Sequence, residues 1–468
     1  MTHTGEVAAR LAALRATDPP THGGRVLSYV YDHGRPELDE VVATAVQAFL
    51  PVNALDPTTF TSVAVLERDL VAFSRSVTGA GEDVVGSVTS GGTESCLLAV
   101  KAARDRWLTR NPGGRPILVM PTTAHPAFRK AAAYLGVELV EVPVSPETGT
   151  LTPAALLEAV AAAGNGAGTP ALVVLSAPNY PFGVLDPIAE VAEVAADLGI
   201  WVHVDACIGG WLLPWWPGQQ RGWDFRLPGV TSMSADLHKY GYAPKGASVV
   251  LYRGRENHRA QYFATADWPG YPVVNPTLLG SRSATALAAA WAVTQTLGEG
   301  GYAELVAETA EATARVRSAL GGIEGLSLVG DPAAALIALC ADPGSAPARQ
   351  VDPFRLVDAV RRRGFLLQAQ PALQQADGSW LPRTAHLSLT PVSRRIAGEL
   401  IEALVAAANE VRGRSAPPPD PGLVAQVAAQ GLPEEQAAVM STLEALPKDE
   451  APAALIGLLA GVIDPDAG

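Results

Sequence analysis

Between about residues 116 and 252 short apolar runs alternate with amphipathic stretches, and this alternation leaves few architectures open. Apolar runs of four to eight residues are the mark of strands buried on both faces, and the amphipathic stretches between them are the mark of helices that cover those faces. Together they predict βα units around a mostly parallel sheet. Strands are expected at 117–120, 137–144, 171–175, 201–204, 231–234 and 248–252. Between two of them, 187–198 reads as a crossover helix, with Pro187 in its first turn and Ile188, Val191, Val194 and Leu198 at helical spacing. Gly199 stands where a left-handed C-terminal cap would fall.

At 468 residues the chain exceeds what one hydrophobic core supports, so more than one folding unit is expected. The predicted fold class is α/β: a large, mostly parallel sheet domain followed by a smaller α+β C-terminal domain. The divisions read as an N-terminal arm and helices over 1–55, the large domain over 56–298, the small domain over 299–412, and a Pro-rich linker with a helical tail over 413–468. A long Ala-rich helical stretch reaches Leu320, with later strands around 335–339 and 386–389 and a helix at 353–363.

Composition narrows the function. Apolar residues make up 48% and charged residues 17%, as in globular proteins. The longest apolar run, 451–463, is shorter than the roughly 18 residues needed to span a bilayer, and no export signal precedes the first helix. Cytoplasmic residence without a membrane partner is the expectation. A net charge of −13 without clustered Lys and Arg argues against nucleic acid. Cys96, Cys207 and Cys340 form no CxxC pair or metal-ligand spacing, so neither disulfides nor a metal is expected.

Three segments carry chemistry. Ser90-Gly91-Gly92-Thr93-Glu94-Ser95 precedes an apolar-periodic stretch, and glycines at a helix start let backbone N–H groups approach an anion. His203-Val204-Asp205 places an acid at the C-terminal end of a strand, where open α/β sheets present ligands. Ser234 to Gly241, "SADLHKYG", sets Lys239 beside His238 just after another strand, and Lys is suited to imine formation. Each segment alone has an ordinary structural explanation. Their order is that of a pyridoxal 5'-phosphate site: phosphate loop, acid for the pyridine nitrogen, imine-forming lysine.

These segments, especially "SADLHKYGYAPKG" from Ser234 to Gly246, closely resemble the sphingosine-1-phosphate lyase family within the pyridoxal-dependent (group II) decarboxylases. The resemblance runs from about Val26 to Leu297. It implies a fold-type I homodimer with active sites shared between subunits, and it implies residue roles. Lys239 would hold the cofactor as an imine, Asp205 would pair with the pyridine nitrogen and His125 would stack on the ring. Gly92, Thr93 and His238 would hold the phosphate, joined by Ser281 of the neighbouring subunit. Tyr180 would lie near the scissile bond, and Tyr31 and Lys245 would bind a substrate phosphate. Where the family has a phosphate-binding His before Pro, this chain reads Leu55-Asp56-Pro57, and a carboxylate there repels a dianion. "GSRPGG" of the family becomes Gly280-Ser281-Arg282-Ser283-Ala284.

The expected activity is therefore carbon-carbon cleavage of a β-hydroxy amine, phosphorylated in the family, to an aldehyde and a smaller amine. The alternative is amino-acid decarboxylation, which the loss of the phosphate-binding His favours. A degenerate binding protein is a third reading, opposed by the intact Lys239, Asp205 and His238.

Overall fold

The computed structural model describes residues 3–164, 170–219, 222–420, 422–423, 426–427 and 433–465. Three helices open the chain: α1 (His3–Arg15), α2 (Pro36–Phe49) and α3 (Thr61–Val77). A seven-stranded sheet follows, made of β1 (Val84–Thr89), β2 (Ile117–Pro121), β3 (Glu138–Val142), β4 (Leu172–Ser176), β5 (Val202–Asp205), β6 (Val230–Ala235) and β7 (Ser248–Arg253). Its order is β1-β7-β6-β5-β4-β2-β3. Strands β2 to β6 pair in parallel, while β7 runs antiparallel to both β6 and β1.

Crossovers α4 (Gly92–Arg110), α5 (Pro126–Leu135), α6 (Pro153–Gly164) and α7 (Ile188–Leu198) join the sheet. In α7, Ile188, Val191, Ala192 and Ala195 are buried, and Gly199 closes the helix at φ 65°. Full burial stabilises each large aliphatic side chain by about 1.5–3 kcal/mol relative to exposure. Because β7 reverses direction between β6 and β1, the C-terminal ends of β1, β2, β4, β5 and β6 all open on one edge of the sheet. Every segment singled out for chemistry sits on that edge.

Strand β1 is absent from the sequence-based expectation. Gly86 interrupts its apolar pattern, yet a Cβ there would stand 2.3 Å from the Val250 carbonyl oxygen, so the close pairing with β7 requires glycine.

Beyond the sheet come α8 (Arg255–Arg259), the hairpin of β8 (Phe263–Thr265) and β9 (Val273–Asn275), and the long helical run α9 (Thr285–Leu320). The expected long helical stretch to Leu320 is present, with a kink at Gly298, where φ is 54°. A second sheet, ordered β10-β11-β15-β12, comprises β10 (Leu326–Leu328), β11 (Leu336–Ala341), β12 (Gln368–Gln370) and β15 (Thr384–Ser388). Between β12 and β15 lies the small hairpin of β13 (Leu373–Gln374) and β14 (Trp380–Leu381), and α10 (Pro353–Arg361) and α11 (Ser393–Val411) pack nearby.

The tail carries α12 (Ala437–Ala445) and α13 (Ala451–Ile463), and much of 421–432 lies outside the described residues. The Asp358 carboxylate of α10 accepts from the backbone N–H groups of Gln436 (2.8 Å) and Ala437 (2.9 Å), capping α12 from another element. Arg383 and Glu444 meet at 2.5 Å, tying α12 to β15's approach. Among the described residues no helix is long and apolar enough to cross a membrane.

Candidate active site

Ser90, Gly92, Thr93, His125, Tyr180, Asp205, His238 and Lys239 line one cavity of about 330 Å³ at the carboxyl edge of the large sheet. The loop after β1 turns at Gly91, where φ is 156°, and enters α4 directly. Ser90 N–H donates to Glu94 Oε2 at 2.6 Å, closing the first turn of the helix. Beneath it, Thr89, Ser95 and Ser248 form a hydroxyl chain with contacts of 2.7 and 2.9 Å. The helix start is thereby fixed with its remaining N–H groups facing the cavity, an arrangement suited to an anion.

Asp205 ends β5 and is buried. One oxygen accepts from Cys207 N–H at 3.1 Å, and Ser234 Oγ lies 3.5 Å away. His125 is the N-cap of α5, its Nδ1 accepting from Ala127 N–H at 3.2 Å. The rest of the ring lines the cavity, and desolvation lowers the imidazole's pKa.

Lys239 donates to Asp236 Oδ2 at 2.9 Å, and His238 Nε2 lies 3.6 Å from the same oxygen. Burial disfavours the lysine's charge, but the Asp236 carboxylate more than offsets it and raises its pKa well above the ordinary value. Burial likewise opposes ionisation of Asp236, yet Lys239 and His238 hold its pKa down. Breaking such a buried pair from one side costs about 3–5 kcal/mol. Asp236 escaped the sequence reading because nothing marks it out from any other polar residue in its motif. Only the fold shows that its carboxylate fills the space beneath the phosphate loop, where a Cβ on Gly92 would stand 2.7 Å from Oδ2.

Tyr31 packs edge-on against Tyr240, ring centroids 5.0 Å apart, and Lys245 Nζ lies 4.6 Å from the centre of the Tyr31 ring. Burial pushes the Tyr31 phenol up to about 12. Burial, assisted by the charge on Lys239, brings Lys245 down to about 8. Tyr180 donates to Gln368 Oε1 at 2.5 Å, and Gln368 in turn donates to the Tyr29 hydroxyl at 2.9 Å. His386 of β15 stacks against Tyr180 with centroids 4.5 Å apart. The second sheet therefore positions Tyr180 through Gln368 of β12 and His386 of β15, two residues without any local sequence signal.

Four expected site residues do not line this cavity: Tyr31 and Lys245, which stand beside it against Tyr240 and the His238 carbonyl, and Ser281 and Asp56, which stand apart. Ser281 is exposed and accepts from Asn53 Nδ2 at 3.3 Å. Asp56 lines a separate cavity of about 1300 Å³ together with Tyr271 and Arg282. Its carboxylate accepts from Thr58 N–H (2.8 Å), Thr58 Oγ (2.6 Å) and Thr59 Oγ (2.8 Å), and these bonds hold it down at about 2. Conversely, the fold unites residues that spacing left unrelated: Cys96, Cys207 and Asp205 place their sulfur and oxygen atoms within 4.8 Å of one another.

Pyridoxal phosphate fits these residues. The glycine turn and α4 start make an anion cradle, the buried Asp205 lines the cavity with no ion pair among the described residues, and Lys239 lines the same cavity.

Comparison with known proteins agrees. Residues 60–339 match the pyridoxal-dependent decarboxylase conserved domain. Sphingosine-1-phosphate lyase 1 of Rattus norvegicus is 37% identical over 396 residues, covering 84% of this chain and 65% of the rat protein. The chain thus spans about two thirds of that relative's length. The solved sphingosine-1-phosphate lyase of Burkholderia pseudomallei superposes with a TM-score of 0.79 at 31% identity, over 88% of this chain and 92% of that one. Glutamate decarboxylase of Lactobacillus brevis shares the fold, with a TM-score of 0.75 at 21% identity over 87% and 92% of the two chains. The matched domain and the overlaid lyase place the chain in the pyridoxal-dependent decarboxylase family, in its sphingosine-1-phosphate lyase branch.

Proposed function

We propose that this protein is a pyridoxal-phosphate-dependent carbon-carbon lyase that cleaves a β-hydroxy amine, phosphorylated next to the amine-bearing carbon, to an aldehyde and a smaller phosphorylated amine. The observation that carries the reading is the convergence of Lys239, Asp205, His125 and the Gly92–Thr93 helix start on one cavity. When bound, the cofactor supplies an electron sink for the cleaved bond.

The protein's part is placement and proton movement. Gly92, Thr93 and His238 would hold the cofactor phosphate, Asp205 would keep the pyridine nitrogen protonated, and His125 would pack against the ring. Lys239 would hold the cofactor covalently through its Nζ. That Nζ, whose proton the Asp236 carboxylate stabilises, would return that proton to the product, while the β-hydroxyl proton would leave to water. Tyr180 is a donor in this scheme: burial raises its phenol well above the ordinary value, so at neutral pH it orients the substrate and accepts no proton. Tyr31 and Lys245 hold the substrate phosphate.

The functional unit in this reading is a homodimer in the cytoplasm, with Ser281 of each subunit completing the other's phosphate site. The exposure of Ser281 on its own subunit supports that role. The domains are those given above, 56–298 binding the cofactor and 299–412 closing over it. A second reading, amino-acid decarboxylation, is favoured by the ionised Asp56 at the position of the family's phosphate-binding His.

The test is borohydride reduction of the holoenzyme followed by peptide mass mapping, with aldehyde and carbon dioxide both measured on phosphorylated amino alcohols and on free amino acids. The cofactor mass is expected on the Lys239 peptide and aldehyde as the product. Lys239→Ala should lose the covalent link and turnover while keeping its circular dichroism. Carbon dioxide release without aldehyde would select the decarboxylase, and a modified peptide lacking Lys239 would reject the site.

A further inference from the structure

The floor of the cofactor cavity holds two thiols that the proposed reaction does not use. Cys96, from α4, and Cys207, just past β5, are both buried and both line the cavity. Their sulfurs lie 3.9 and 3.4 Å from the same Ser234 hydroxyl. With a carboxylate oxygen of Asp205 they form a set of three donors, every pair within 4.8 Å.

Two thiolates on one tetrahedral zinc ion stand about 3.8 Å apart, given Zn–S bonds near 2.3 Å. The cluster needs only a small contraction to reach that geometry. The donor set, two sulfurs and one oxygen, suits a thiophilic divalent cation and disfavours magnesium or calcium. A second observation points the same way. Asp236 Oδ1 is buried without a hydrogen-bond partner. It and Cys207 Sγ lie 2.8 and 2.9 Å from the point where a Cβ on Gly92 would stand, which puts a further oxygen donor beside the cluster.

We propose that the cofactor-free protein binds one Zn²⁺-class ion through Cys96, Cys207 and Asp205, and that this binding excludes pyridoxal phosphate. Exclusion rests on the reading that Asp205 also serves the pyridine nitrogen: the carboxylate cannot do both. The cofactor cavity then has two alternative occupants. Metal binding is open to the apoprotein through the same mouth that admits the cofactor, and loading with cofactor removes the ligand the metal shares.

The test uses the full chain, stripped of cofactor by hydroxylamine dialysis. Titration with Co²⁺ should give a near-ultraviolet thiolate-to-cobalt charge-transfer band saturating at one ion per chain, and native mass spectrometry should find one Zn²⁺ per chain. Cys96→Ser should cut the band by about half and weaken zinc binding at least tenfold, a thiolate ligand having been lost. Cys96→Ser should still take up cofactor, which reports that its pocket has folded, and Cys96→Ala gives a second variant if serine disturbs α4. Adding pyridoxal phosphate to the zinc-loaded wild type should release the ion to a chromogenic chelator.

Absence of the band, or zinc bound undiminished in the Cys96→Ser, Cys207→Ser double variant, overturns the site. Zinc and cofactor bound together overturn the exclusion. These outcomes are separable from failure of the enzyme reading, which would appear as no borohydride-fixed cofactor on Lys239 whatever the cobalt spectrum shows.

Discussion

Two residues at the substrate end make the charge logic of the cavity testable. Lys245 donates to the His238 carbonyl at 3.0 Å and faces Tyr31, whose phenol is neutral below about 12. The charged groups that act on it are Lys239, which lowers its pKa, and Asp236, which raises it. With a value of about 8, Lys245 is a cation at neutral pH and loses its proton as pH rises through 8. Affinity for a phosphorylated amino alcohol, read from the cofactor's absorbance change, should therefore be full below that point and fall above it, by up to about tenfold per pH unit. The unphosphorylated counterpart should lack this fall, and Lys245→Arg should move it to higher pH. A fall shared equally by both amines would assign the titration to another group. Asp56 poses the opposite question. Asp56→Asn keeps the acceptor that caps the turn before α3 but removes the charge, so the melting temperature should hardly move. If the partner subunit brings this loop to the substrate entrance, the preference in kcat/KM for the phosphorylated amine should rise several-fold and the gain should shrink as salt screens it. An unchanged preference would make Asp56 a turn residue only.

At the scale of elements, the tail is held by interactions that end groups rarely make. The Asp358 carboxylate caps α12 from α10, and Glu444 is clamped by Arg383 and accepts from Ala372 N–H at 2.8 Å. Asp358→Ala should cost about 1 kcal/mol, the ordinary worth of an N-cap. Hydrogen exchange over 437–445 should quicken before the core strands respond, and uniform quickening throughout would refute a local role. This contact illustrates what the sequence could not carry. The βα alternation and the punctuation of α7 were legible because they are local: apolar period, Pro187 and Gly199. The edge strand β1 was not, because Gly86 answers to the backbone of Val250 rather than to its own neighbours. In the site, Lys239, Asp205 and the glycine loop were recognisable from motif order. The residues that position Lys239 (Asp236) and Tyr180 (Gln368 and His386) acquire their roles only when separate segments meet. The thiol pair is the clearest case, since Cys96 and Cys207 come from different crossovers and no spacing rule relates them.

In the proposed homodimer, Ser281 is the residue that would complete the neighbouring subunit's site. It is exposed and hydrogen-bonded to Asn53, and it does not line the cavity that holds Lys239 in the same subunit. Arg282 beside it is fastened inward: Nη1 donates to the Val88 carbonyl at 3.3 Å and to Thr277 Oγ1 at 3.1 Å, and Nη2 lies 3.8 Å from Glu67. Arg282 is thus anchored to its own subunit, while the neighbouring Ser281 hydroxyl remains exposed. A shared site makes a specific demand on mixtures. Lys239→Ala and Ser281→Ala subunits each damage both sites of their own homodimer, but a hybrid dimer pairs the intact Lys239 of one subunit with the intact Ser281 of the other at one of its two sites. Random exchange makes half the dimers hybrid, so activity should recover to about a quarter of wild type from two weak or inactive parents. Exchange must be verified by mass-tagged subunits. If exchange occurs and activity stays at the parental average, Ser281 serves its own subunit or none, and each chain would have to complete its phosphate site alone.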